Sequence, residues 1–188
     1  MSKFKLPIII SLFVLLISLA CVINIGGPDY PTNSIPVSTE ALATMQDQIK
    51  TAVETGAQTG QVTIFITETQ LTSFLADKFS SQENPIITLP QAYLQNGQIQ
   101  IFGTVIKGFL KASVSVVLTA SINSDGKLQL ELSSADFGPF PVPDSLKEVI
   151  TSLVTEAYTG ALGPVATGFR LEGIIIANGA MMIIGRIN

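Results

Sequence analysis

Hydrophobic positions fall along this chain in three rhythms: one unbroken run, several helical stripes and long stretches of strict alternation. The unbroken run is residues 6 to 25, LPIIISLFVLLISLACVINI, twenty residues without a charge. At about 1.5 Å per residue such a helix spans roughly the 30 Å hydrocarbon core of a bilayer. Fourteen of its positions are Leu, Ile, Val or Phe, and each favours insertion by roughly 0.3–0.6 kcal/mol near the bilayer centre. The pattern predicts one N-terminal transmembrane helix. Lys3 and Lys5 precede it, and the positive-inside rule keeps them cytoplasmic, so everything after Gly26 is expected on the extracytoplasmic side. Two other outcomes fit the same stretch. Ser18-Leu19-Ala20-Cys21 resembles a lipobox, with Cys21 as the acylated residue of a lipoprotein, and Leu6 to Ala20 also has the length of a cleaved signal.

Residues 26 to 38, GGPDYPTNSIPVS, hold three prolines and two glycines without apolar period and read as an extended spacer. Helical rhythm begins at Thr39, where Leu42, Met45, Ile49, Ala52 and Val53 recur on one side. Gly56 and Gly60 are expected to end that helix near Thr55. Val62, Ile64 and Ile66 alternate with Thr63, Phe65 and Thr67 as a short strand. Thr67-x-x-Gln70 then matches a capping box for a helix bearing Leu71, Phe74, Leu75 and Phe79.

Three hairpins follow, and turn chemistry sets their register. Asn96-Gly97 as a two-residue turn places Leu94 opposite Ile99 and Ala92 opposite Ile101. At Asp125-Gly126 a two-residue turn opposes Ile122 to Gln129, whereas a three-residue loop of Ser124, Asp125 and Gly126 pairs Ile122 with Leu128, Ala120 with Leu130 and Leu118 with Leu132. Because a one-residue slip turns every side chain to the wrong face, the three-residue loop is preferred, with Gly126 left-handed. The strand from Lys111 to Ile122 alternates throughout, Ala112, Val114, Val116, Leu118 and Ala120 inward. After Pro139, Pro141 and Pro143, a stripe from Leu146 to Leu162 makes the strongest amphipathic helix. The last hairpin turns at Asn178-Gly179. Uninterrupted alternation puts Leu171, Ile175, Ala177, Ala180, Met182 and Ile184 on one face, fit for the core, and Ile174, Ile176, Met181 and Ile183 on a second apolar face.

These elements predict an α+β fold, a long curved antiparallel β-sheet wrapped on amphipathic helices. The expected divisions are an anchor or signal segment at 1–25, a spacer at 26–38 and one α+β domain at 39–188. Charge alters the picture in one respect. Without Lys3 and Lys5, eight Lys and Arg stand against fourteen Asp and Glu, a net −6 that disfavours nucleic acid, which demands clustered bases. Histidine is absent, which removes Ser-His and Cys-His catalysis and the common zinc sites. Cys21 is the sole cysteine, so the exported domain has no disulfide. Asp136 and Asp144 flank the Pro-rich segment as a carboxylate pair, but a strand end and a helix N-terminus account for them. Lys107 and Lys111 bracket Gly108-Phe109-Leu110, where they suit either an anionic headgroup or plain solvation. No enzyme, cofactor or metal is expected.

The order of parts, with ITETQLTSFLADKF, PQAYLQNGQIQIFG, a long alternating strand, SADFGPFPVPDSLKEVI and a closing IIIANGAMMIIGR, resembles the bacterial exported domains of the LmeA and YpmS type over about residues 60 to 187. The resemblance implies a TULIP-like fold, half of a BPI-type tubular lipid-binding module, in which a curled sheet and a long helix enclose an apolar groove for acyl chains. The candidate lipid-binding residues are then Phe74, Val116, Leu118, Leu153, Tyr158, Ile174, Ile176, Met181 and Ile183, each of which also suits an ordinary core. The expected function is membrane-anchored binding of a lipid or other apolar chain at the cell membrane, for transfer or sensing. The alternative is a cell-envelope module whose partner is another protein.

Overall fold

In the computed structural model, which describes residues 22–159 and 169–187, the first described element is an edge strand. Ile23–Asn24 form β1, parallel to a later strand at Leu110–Lys111. Hydropathy counts these residues in the apolar helix. Their backbone is instead extended, and the Ile23 and Ile25 N–H groups donate to the Phe109 and Lys111 carbonyls at 2.7 and 2.9 Å. Among the described residues no helix is long and apolar enough to cross a membrane; residues 1–21, with Cys21, lie outside the description.

Residues 26–38 are no free spacer. They form a strap fastened to the body of the protein, described with the site below. At its end Ser38 caps helix α1 (Thr39–Thr59), its side chain accepting the Ala41 N–H and so satisfying one of the donors that a helix start leaves open. Gly56 does not stop this helix. It is buried inside the last turns, where a Cβ would lie 2.2 Å from Val62 Cγ2, so its role is to let the next strand approach. Gly60, at φ 76°, is the true stop, and its N–H returns to the Gly56 carbonyl.

β2 (Gln61–Thr67) leads into α2 (Glu68–Ser80) through the expected capping box: Gln70 N–H donates to Thr67 Oγ1 while Gln70 Oε1 accepts the Thr67 N–H. Then come β3 (Thr88–Gln95), β4 (Gln98–Lys107), β5 (Leu110–Ile122), β6 (Leu128–Asp136), helix α3 (Leu146–Thr159), β7 (Phe169–Ala177) and β8 (Ala180–Ile187). The expected extension of α3 to Leu162 falls outside the described residues.

The fold is α+β, its strands curled around a core faced by the helices. The strands form two sheets, where alternation alone suggested one. The five-stranded sheet runs β1-β5-β4-β3 with β6 also on β5, and the second runs β2-β8-β7. Both short-turn registers hold: Leu94 pairs with Ile99 and Ala92 with Ile101, and Ile122 with Leu128, Ala120 with Leu130 and Leu118 with Leu132 around Gly126 at φ 71°. The sheet stops at β3 because α2 takes the place of a further strand. Ala92 and Leu94 donate their outward N–H groups to Thr72 Oγ1 at 2.9 Å and Glu68 Oε1 at 2.8 Å, which satisfies an edge otherwise open to pairing.

Turn tips join the two sheets. Gly97 N–H donates to the Ile176 carbonyl, Gly179 N–H to the Leu94 carbonyl and Leu171 N–H to the Gly126 carbonyl, at 2.9, 3.0 and 2.8 Å. Behind them lies one core, in which Ile49, Leu71, Leu75, Ile99, Val116 and Ile183 are all fully buried. Lys78 and Glu156 form an ion pair at 2.6 Å between α2 and α3.

The last hairpin reverses the expected faces. A bulge between Leu171 and Gly173 adds one residue, so Leu171 and Ile176 both point into the core, with Met181 and Ile183 beside them. The face expected to be buried instead points out: Ile175 is 53% exposed, and Phe65 on β2 is 52% exposed. The register sets Phe65 opposite Met182 and Met182 opposite Ile175, an apolar row across all three strands.

Candidate functional site

The strap and the start of β3 together make the most distinctive site among the described residues. Gln91, nearly buried, uses both ends of its amide on the strap backbone: Oε1 accepts the Ile35 N–H and Nε2 donates to the Ile35 carbonyl. Two tyrosines cross in opposite directions. Tyr30 of the strap donates its hydroxyl to the Leu89 carbonyl at 2.6 Å, and Tyr93 of β3 donates to the Asn33 carbonyl. Phe102 packs edge-on against both rings, its centroid 6.2 Å from Tyr30 and 5.7 Å from Tyr93. Ser38 N–H donates to Ser73 Oγ at 3.0 Å, which ties the strap's end to α2. Burial raises the Tyr30 phenol above its ordinary value of 10.0, and Tyr93 adds to the shift. Tyr93 is raised too, by burial and then by the Glu68 carboxylate. Both stay protonated donors through the neutral range.

Between the strap's end, α1, α2 and the start of β3 lies a half-open groove of about 570 Å³, well within the roughly 300–1,000 Å³ of small-molecule sites. Val37, Leu42, Ala76, Phe79, Ile87 and Leu89 give it a predominantly apolar lining. Asp77 is the charged residue at its wall.

The groove's rim carries the strained point of the backbone. Leu89 has φ 51°, a region that costs an ordinary residue roughly 1–2 kcal/mol, and it precedes Pro90, a position that favours extended backbone. The cause is a bulge between Thr88 and Gln91, which sets Leu89 and Pro90 against Gly103. There a Cβ would come within 2.1 Å of Ile87 Cγ2, so glycine is required. The result holds the Leu89 side chain 68% exposed at the groove. Backbone strain of this kind persists where surrounding contacts over-determine it, and it clusters at ligand sites.

None of the candidate lipid-binding residues lines this groove; Leu42 and Phe79, expected only as helix-stripe residues, do. Phe74, Val116, Leu118, Leu153, Ile176, Met181 and Ile183 are buried in the common core, and Ile174 packs against it. The side chain of Tyr158 lies outside the description, as does Cys21. Sequence reasoning missed the groove because its walls come from three separate segments with no shared period. The Leu89-Pro90 pair before an alternating strand was its only local sign.

The remaining features are structural. A polar hollow of about 460 Å³ at the Asn96-Gly97 and Asn178-Gly179 tips contains Glu68, whose Oε1 is already occupied by the Leu94 N–H. Asp136 accepts the Gly138 N–H at 2.8 Å and closes a turn. Among the described residues no group of three or more metal-type side chains converges. In comparison with known proteins, the chain matches no family model and no curated relative.

Proposed function

We propose that this protein binds an acyl chain of a lipid in the groove between the strap, α2 and β3, as a membrane-anchored extracytoplasmic domain serving lipid transfer or sensing without covalent chemistry. The observation that carries the reading is a half-open apolar groove of about 570 Å³ whose rim residue, Leu89, is held exposed in a left-handed conformation. Burial of eight methylenes contributes roughly 6 kcal/mol before ordering costs, enough for selective occupancy when lipid is abundant. The TULIP-like resemblance supports the same ligand class. The groove shifts the expected contact residues from the sheet interior to Leu42, Ala76, Phe79, Ile87 and Leu89.

The test uses the full chain in lipid nanodiscs with a phosphatidylcholine that carries a diazirine on one acyl chain. Photolabelling is expected on peptides containing Ala76 to Phe79 and Ile87 to Pro90. Ala76→Phe fills the groove from a partly exposed position, so groove labelling should fall about tenfold while stability changes by less than about 0.5 kcal/mol. Wild-type protein without groove labelling would overturn the reading. The apolar row of exposed Phe65 and Ile175 around half-buried Met182 favours a second reading, an envelope module that docks a partner protein on the three-stranded sheet. Its sign would be crosslinks to protein at Phe65 in cells, with no lipid at Ala76.

A further inference from the structure

The two ends of the five-stranded sheet differ in chemistry. At one end the tips are Asn96-Gly97 and the loop Asn123 to Lys127, the polar residues usual in turns. At the other, β4 ends in Ile106-Lys107 and the β4–β5 turn is Gly108-Phe109, with Ile106 52% and Phe109 60% exposed. Two further segments bring apolar side chains to the same end. Ile23, itself exposed, pairs with Leu110, and its N–H is bound to the Phe109 carbonyl at 2.7 Å. Lys107 Nζ lies 5.4 Å from the Phe140 ring centroid, with exposed Val142 two residues further on.

This patch also lies where the chain enters the domain. The apolar run that begins at Leu6 continues directly into Val22, and the pairing of Ile23 and Ile25 with β5 leaves no slack between that run and the β4–β5 turn. A domain on a free spacer can stand away from its membrane; one whose Ile23 and Ile25 are bonded to the Phe109 and Lys111 carbonyls cannot.

From this we propose that the β4–β5 turn, with Val22, Ile23 and Val142, is a lipid-facing surface: Ile106 and Phe109 enter the bilayer interface while Lys107 and Lys111 meet phosphate headgroups. The proposal rests on the reading of the N-terminal run as a bilayer segment. It also gives the groove a direction. Leu89 lies against Gly103, four residues from Lys107, so at about 3.3 Å per residue the Leu89 rim sits roughly 13 Å above the seated surface. The groove therefore takes its lipid from the membrane in which the protein is anchored.

The experiment uses the full chain with Cys21→Ser, reconstituted in vesicles of equal parts phosphatidylcholine and phosphatidylglycerol. One environment-sensitive fluorophore is attached at Phe109→Cys, Val142→Cys or, at the polar end, Asn96→Cys. Lipids brominated near the headgroup should quench most emission from the first two and leave Asn96→Cys unchanged. Adding Ile106→Glu to Val142→Cys should relieve that quenching, and the exposure of Ile106 makes the substitution harmless to folding, which circular dichroism checks. Equal quenching at both ends, none at Phe109→Cys, or shielding of Phe109→Cys that survives in detergent and therefore comes from protein, would overturn the proposal. Quenching without groove photolabelling would keep this surface and discard only the acyl-binding reading.

Discussion

Leu89 joins strain to exposure in one side chain, and the two are separable by substitution. Glycine there removes the clash of Cβ with the following carbonyl, so Leu89→Gly is expected to stabilise the fold by about 1 kcal/mol, read as a higher urea midpoint at unchanged m-value. The same change deletes part of the groove's rim, and photolabelling by the diazirine lipid should fall. A variant that is more stable yet binds less identifies strain retained for a ligand; one that loses stability shows that Leu89 is held by packing. At this scale the sequence is legible only where the deciding chemistry is local. Thr67 with Gln70 and the left-handed Gly126 follow from four or five neighbouring residues. The conformation of Leu89 depends on Gly103 across the sheet, which leaves room for Ile87, and on Tyr30 far away, and Leu-Pro taken alone reads as extended.

Among the elements, the strap departs most from its sequence. Pro and Gly content makes residues 26–38 look like a passive linker, and only long-range partners such as Gln91, Ser73 and Tyr93 give it a fixed course. Its phenols give it a pH dependence of known sign. The folded state raises the Tyr30 and Tyr93 values above 10.0, so it favours the protonated form. Their contribution is therefore complete below about pH 10 and is lost as pH rises through the folded values. Urea midpoints measured from neutral pH into alkali should fall above that point, and Tyr30→Phe should shrink the alkaline loss while lowering stability at neutral pH by about 1 kcal/mol for the missing bond to Leu89. An alkaline limb of unchanged size would show that the strap carries none of it. The bulges teach a related lesson. Alternation predicts faces correctly along Lys111 to Ile122 and fails across Leu171 to Gly173, because one inserted residue inverts every side chain beyond it and leaves no mark in composition.

For the molecule as a whole, the α+β class and the three hairpin pairings follow from pattern, whereas the pairing of β1 and β4 with β5, that of β2 with β8 and the division into two sheets do not, since that division depends on α2 occupying the edge of β3 and on contacts between turn tips. Those tip bonds give a test of unity. Gly97 and Gly179 sit in turns, where amides normally exchange quickly, yet each donates across to the other sheet. Hydrogen exchange by NMR should show both as slow as the β4 interior, and Asp125, whose N–H reaches only the exposed Asn123 side chain, as fast. Fast exchange at Gly97 and Gly179 would mean that the sheets part before the core unfolds. The pairing of β1 with β5 has a mechanical consequence. Tension applied to the chain ahead of Val22 loads the Ile23, Ile25 and Gly26 backbone bonds first, then the tyrosine clasp, and only afterwards α1. Under a pull the protein would yield stepwise from that side, freeing the rim at Leu89 while the hydrophobic interior stays shut, so the strap would act as a mechanical fuse that opens the groove before the core.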